Sequence, residues 1–164
     1  MTEGPHSVPA APAAPPAPTA GSGPAGEVRL VAVRDTALSV DEVLAAVASP
    51  GAGGIVTFLG AVRDTDGGRA VTGLGYSAHP SAEQALREVA AEAAAVEGVR
   101  AVAVVHRQGD LVLGDLAVVA AVAAAHRQQA FAACARLIDE LKARAPIWKH
   151  QLFADGGEEW VGSP

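Results

Sequence analysis

Lysine and arginine together account for 12 residues of this 164-residue chain, and only two of them, Lys142 and Lys149, are lysines. Where arginine serves as the routine surface cation, a retained lysine is informative. A desolvated amine near other cations loses its proton at accessible pH, whereas a guanidinium does not. The neutral amine can then attack a carbonyl carbon or carry a proton. The two lysines stand seven residues apart in "LKARAPIWKHQ", on either side of Pro146. The pattern predicts Lys142 in the last turn of a helix and Lys149 on the strand that follows, so a chain reversal between them can bring both amines to one site. The plainer alternative has Lys142 complementing a helix C-terminus and Lys149 on an exposed strand face. Spacing alone does not separate the two.

Three further groups could bind an anion. His126 and Arg127 sit where an apolar strand meets a helix N-terminus, and free backbone N–H groups there favour negative charge. A capping histidine beside a solvated arginine is the competing reading. Arg63 follows "TFLGAV" and precedes a flexible turn, so it is either a surface arginine or a clamp facing the lysines. His106 and Arg107 precede the turn at Gly109, where a structural role with the imidazole bonded to backbone is favoured. Metal chemistry has little support: five histidines and one cysteine offer no close pair at zinc-like spacing. No P-loop or dinucleotide fingerprint occurs either, so no cofactor is expected. Cys134 falls in the apolar series Phe131, Cys134, Ile138, Leu141 and reads as a packed core thiol.

The elements that must position these residues follow from local pattern. "EVRLVAVRD" reads as a first strand, and "LSVDEVLAAVAS" as a short helix with Ser39 and Glu42 spaced as a capping box. "IVTFLGAVR" is an apolar strand running into the turn signal "DTDGG", followed by the strand "AVTGLGYSAH". A helix from Ser81 to about Val96 is opened by Pro80 and a Ser81/Gln84 capping pair and closed near Gly98. "RAVAVVHRQG" and "LAVVAAVAAAH" are buried strands joined through "GDLVLGD". A third helix runs from Arg127 to about Ala143 and stops before Pro146; "IWKHQLF" is extended, "ADGGE" turns and "EWV" closes the pattern. The mixed order of about three helices with hairpin-linked strands indicates an α+β domain.

Composition narrows the function classes. A net charge of −6 argues against a general nucleic-acid binder, so any anion site has to be local. A single cysteine rules out an internal disulfide framework and fits a reducing cytoplasm. The alanine-rich runs are broken by Glu, Arg and Gly, so none reaches spanning length.

Taken together, "FLGAVRD", "VVHRQGDLVLGD", "AAHRQQAFAACARLIDELKARAPIWKHQ" and "EEWV" closely resemble the large, catalytic subunit of molybdopterin synthase, in order and over the chain from about Val28 onward. The resemblance implies an α/β-hammerhead-like fold with a mixed or antiparallel sheet, in a homodimer flanked by two copies of a small ubiquitin-like sulfur carrier to give a heterotetramer. It implies sulfur transfer from the carrier's thiocarboxylated Gly-Gly end to cyclic pyranopterin monophosphate, forming the molybdopterin dithiolene. Matched residue by residue, the essential lysine pair falls on Lys142 and Lys149, the anion-binding arginine on Arg63 and the His-Arg pair on His126 and Arg127. The chain departs from the pattern at Ser77 and His79, where relatives often have an acidic residue and an aromatic. It departs again at His150 and Gln151, where many have a basic residue and a glutamate, and after the Trp-Val pair, where some carry an arginine. A carrier-binding subunit without turnover and a small anion-binding regulatory module are the alternatives; retention of both lysines disfavours the first.

The segment 1–26 holds seven of the eleven prolines and almost nothing that could fill a core, so it reads as a disordered tail ahead of a catalytic domain over 27–164. It also lacks the basic start and apolar run of a secretory signal. Removing residues 1–26 is expected to leave the melting temperature nearly unchanged, and a large fall on truncation would contradict that boundary.

Overall fold

The computed structural model describes residues 25–162, so most of the proline-rich segment lies outside the described residues. In chain order the elements are β1 (Glu27–Arg34), α1 (Val40–Val47), β2 (Gly54–Ala61), β3 (Thr65–Asp66), β4 (Arg69–Ala78), α2 (Ala82–Ala94), β5 (Val99–Arg107), β6 (Gly109–Leu111), β7 (Leu116–Ala124), α3 (Arg127–Arg144), β8 (Ile147–Phe153) and β9 (Glu158–Gly162).

The two most apolar runs become β5 and β7, which pair antiparallel in the middle of a sheet ordered β1-β5-β7-β2, with β1 parallel to β5. Alternation along these strands sends Val102, Val104, Ala120 and Val122 to one face, where they pack with Leu86 and Val89 of α2 and Leu137 and Ile138 of α3. Ala101, Ala103, Val105, Val119 and Ala121 go to the other face, against Val43 and Val47 of α1. Cover on both faces is why these strands read as continuous apolar runs rather than as an alternating pattern. Small residues at Ala90, Ala93 and Ala94 let α2 sit close to the sheet. Cys134 is buried in the same cluster, and burial pushes its thiol pKa up.

The second sheet runs β3-β4-β8-β9, with β6 also paired to β4. Its tightest turn is the two-residue link between β3 and β4, where Gly67 and Gly68 take positive φ of 56° and 79°. A hairpin turn of that hand needs residues without a Cβ penalty, which explains the Asp-Gly-Gly signal. Val62, Leu74, Leu111 and Ala117, joined by Tyr76, form a small third cluster.

Three local readings are refined. Ser39 accepts from the Glu42 amide as half of a capping box, but the Glu42 carboxylate turns to Arg34, at 2.6 and 2.8 Å. The Ser81/Gln84 pair does not form: Ser81 is already helical, its amide donates to His79 Nδ1 at 3.2 Å, and the Gln84 amide reaches Glu88 instead. "GDLVLGD" is more than a connection, because its first residues add β6 to the edge of β4. Gly26, at the end of the proline-rich segment, donates to the Ala94 carbonyl at 3.0 Å.

Leu137 is nearly inaccessible in the main core between α3, α2 and the central sheet. Leu137→Ala should therefore cost about 2–5 kcal/mol in denaturant unfolding. A loss below about 1 kcal/mol would mean that this helix face is not packed as described.

Candidate active site

The cavity forms where the second sheet meets the end of α3. Pro146 cannot continue that helix, so the chain turns after Ala145, whose amide closes the last turn on Leu141 O at 2.9 Å, and runs back as β8. The reversal puts Lys142 on the last helical turn and Lys149 two residues into the returning strand's interior. Both line one cavity of about 610 Å³, together with Arg63, Tyr76 and His106 and an apolar wall that includes Phe58, Ile138 and Leu141. That volume is within the usual range for a small-molecule site.

Register against β4 determines what β8 shows the cavity. Tyr76 lies opposite Lys149 and Leu74 opposite Gln151, so these four side chains share a sheet face. The intervening His150 points to the other face, where its ring stacks on Trp160 at 4.3 Å and Nε2 lies 2.9 Å from Glu158. Ser77, next to Tyr76, is exposed on that outer face as well. The departures at His150 and Ser77 therefore fall away from the cavity, whereas Gln151 lies on the cavity-side sheet face and lines, with Asp66, Lys149 and Arg63, a smaller adjoining pocket of about 60 Å³.

A carboxylate that the sequence had suggested only as part of a turn organises those contacts. Asp66, at the end of β3, accepts from Gln151 Nε2 at 2.8 Å and Lys149 Nζ at 3.1 Å on Oδ2, and from Arg63 Nη2 at 3.1 Å on Oδ1. The Gln151 amide, then the Lys149 ammonium and, more weakly, Arg63 hold its carboxyl below the usual carboxylate range. Lys149 is only 25% exposed, whereas Arg63, though paired with Asp66, is 73% exposed.

His106 and Tyr76 form the other polar wall. Their rings meet edge to face at 5.0 Å, and His106 Nδ1–H donates to the Arg107 carbonyl at 2.8 Å, leaving Nε2 as the unprotonated nitrogen. The backbone bond read from the sequence is present, and the imidazole borders the cavity besides. At 6% exposure, burial pushes the His106 pKa down, partly offset by that carbonyl; burial likewise raises Tyr76. Arg107 is tied to Asp115 at 3.0 Å.

His126 and Arg127 are not brought to this cavity. They stand at the N-terminus of α3, with His126 as the extended cap whose amide donates to Gln129 Oε1 at 3.3 Å. Lys142 is fifteen residues further along the same helix, about 22 Å at 1.5 Å per residue. Tyr76 and Asp66 were not singled out beforehand, since neither carries a signal until the β4 pairings are known. Among the described residues, no group of three or more His, Cys, Asp and Glu could hold a metal ion, and no helix is long and apolar enough to cross a membrane.

Fold and site together define an α+β protein whose cavity is lined by two primary amines and a guanidinium. The family model described as MoaE protein matches residues 33–144. The molybdopterin synthase catalytic subunit 1 of Mycobacterium tuberculosis is 49% identical over 130 residues, covering 78% of this chain and 87% of that one. The crystal structure of molybdopterin synthase from Staphylococcus aureus superposes with a TM-score of 0.74 at 30% identity, covering 82% of this chain and 97% of the other. A structure from Helicobacter pylori, a complex of subunits 1 and 2 of molybdopterin-converting factor, shares the fold at a TM-score of 0.61 and 21% identity, covering 82% and 88%. The chain belongs to the MoaE protein family.

Buried and neutral, His106 resists protonation when folded but takes up a proton freely when unfolded. A depressed folded-state pKa contributes stability that is complete above the unfolded value, near pH 6.5, and is lost as pH falls below it. The unfolding free energy of the wild type should accordingly decline from pH 7 to pH 5 with an added slope of up to about 1.4 kcal/mol per pH unit. His106→Gln should flatten that slope, and identical slopes in both proteins would contradict the burial argument.

Proposed function

We propose that this chain is the catalytic subunit of a molybdopterin synthase, acting in molybdenum-cofactor biosynthesis in the cytoplasm, and that Lys142, Lys149 and Arg63 form its active site. The observation that carries the site assignment is the convergence of these three cations on one cavity in a member of this family. The substrates fit that chemistry: a thiocarboxylated carrier end and a phosphate-bearing pterin are both anions, and in a chain of net charge −6 they require a local cationic cavity.

Arg63, exposed at the rim, can change partners from Asp66 to an incoming anion without disturbing the core. The two amines can do what a guanidinium cannot, which is to give up or take a proton during transfer or attack the carrier's carbonyl carbon. The apolar wall of Phe58, Ile138 and Leu141 limits water around them and strengthens their interaction with the bound charge.

The sulfur donor in this reading is a small ubiquitin-like carrier subunit, and two copies of this chain form the centre of a heterotetramer. The Helicobacter pylori complex supports a two-subunit assembly by likeness of fold. Exposed Ile55 and Leu59 on the edge strand β2, with exposed Phe131 on α3, are apolar surface compatible with a second copy. Since His126 and Arg127 are about 22 Å along α3 from Lys142, they serve substrate only by reaching the cavity of the other copy in such a dimer.

Lys142→Arg and Lys149→Arg, made separately and mixed with thiocarboxylated carrier and pterin precursor, test the assignment. At least one variant should fold, bind carrier and lose dithiolene formation by about 10²- to 10⁴-fold, the range typical of lost proton transfer. Near-normal turnover in both would reduce the lysines to electrostatic anchors.

A further inference from the structure

The carboxylate between the cations has its own role to explain. Lysine carries a flexible four-carbon stem, so an amine that must meet a substrate in one place has to be held there. Lys149 is held by Asp66, 83 residues away in sequence on a different strand, through the 3.1 Å contact to Oδ2. That same oxygen takes the Gln151 amide at 2.8 Å, while Oδ1 takes Arg63. Gln151 is 4% exposed, and its Oε1 is buried with no hydrogen-bond partner. The opposite flip would set Oε1 against the Asp66 carboxylate. Gln151 is thus oriented by the carboxylate, and it braces from β8 the same oxygen that holds the neighbouring lysine.

We propose that Asp66 is a positioning residue of the active site, a carboxylate delivered by the β3–β4 hairpin that fixes the Lys149 amine beside Arg63 until an incoming anion takes over both cations. This deepens the sulfur-transfer reading and rests on it for its catalytic consequence. The hold on the amine is a separate claim that can be measured without turnover. Asp66 is suited to the role by its charge and by its place at the end of β3, directly before the Gly67–Gly68 turn that returns the chain into β4. An asparagine there would keep the size and one acceptor, and lose the negative charge and the second acceptor.

The test uses the full chain in wild-type, Asp66→Asn, Asp66→Glu and Asp66→Asn/Gln151→Glu forms, the last moving the carboxylate across the hydrogen bond to β8. Limited reductive methylation with formaldehyde, read by mass spectrometry, reports the accessibility of the Lys149 amine, with Lys142 as reference in the same molecule. Steady-state dithiolene formation with thiocarboxylated carrier gives kcat and KM. Asp66→Asn should raise Lys149 labelling relative to Lys142 by about threefold or more, as expected for loss of a charge-assisted contact. It should lower kcat by about 10- to 100-fold, with KM changed by less than about threefold, the pattern of a misplaced group. Asp66→Glu or the double variant should recover most of both. Unchanged labelling and unchanged kcat in Asp66→Asn would overturn the proposal. So would a loss of kcat that neither carboxylate-bearing variant recovers and that parallels a fall in melting temperature, because Asp66 would then only support the fold. If the wild type itself makes no dithiolene, the sulfur-transfer reading fails, while the labelling ratio still decides whether Asp66 holds the lysine.

Discussion

The register of β8 against β4 governs which chemistry the second sheet can show the cavity. Side chains alternate along a strand, so with Tyr76 opposite Lys149 the inward set is Tyr76, Lys149, Leu74 and Gln151, and the outward set is Trp148, His150 and Leu152. A slip of one residue would turn Lys149 out to solvent and bring His150 in. Several independent features hold the register. Pro146 ends α3 at a definite residue, its carbonyl accepts from the His79 amide at 3.0 Å beyond the end of β4, and Phe153, at the other end of β8, is buried. The Arg69 guanidinium lies 3.7 Å over the Phe153 ring and pairs with Asp155 at 2.9 Å, which fastens the far end of the ladder.

Given that register, the electrostatics follow from a small set of charges. The chain as a whole is acidic, at −6, so the positive charge of the proposed site is the local charge of Lys142, Lys149 and Arg63. Asp66 partly neutralises two of these, which lowers the cost of gathering like charges in a half-enclosed space before a ligand is present. The same contact means that a ligand must compete with a carboxylate already in place.

Much of the architecture was legible in the residues, and the limits of that reading have physical causes. Continuous apolar runs at β5 and β7 announced strands covered on both faces, and Pro146 marked the end of α3 to within a residue or two. The lysine pair stood out through residue type, and Arg63 through its place between a strand and a turn. Asp66 and Tyr76 could not be assigned in the same way, because their significance depends on which strand lies beside β4, a long-range pairing that no local pattern encodes. The Ser81 cap failed for a local reason: His79 offers a ring nitrogen to the Ser81 amide, and Ser81 takes helical geometry instead of the extended geometry of a cap. His126 and Arg127 illustrate a different limit. Their residue types suit an anion site, yet a helix of 18 residues separates them from Lys142 by most of its length within one chain.

Proximity of the two lysines to the end of the sulfur carrier is the central claim, and a mapped covalent capture tests it most directly. A carrier bearing a thioester at its terminal glycine acylates whichever amine lies within reach, and peptide mass spectrometry locates the resulting amide bond. Modification should be confined to Lys142 or Lys149 and abolished by an excess of unmodified carrier. Capture at neither lysine, with the carrier bound at full occupancy, would place its end elsewhere on the chain and contradict the assignment of this cavity as the site of transfer.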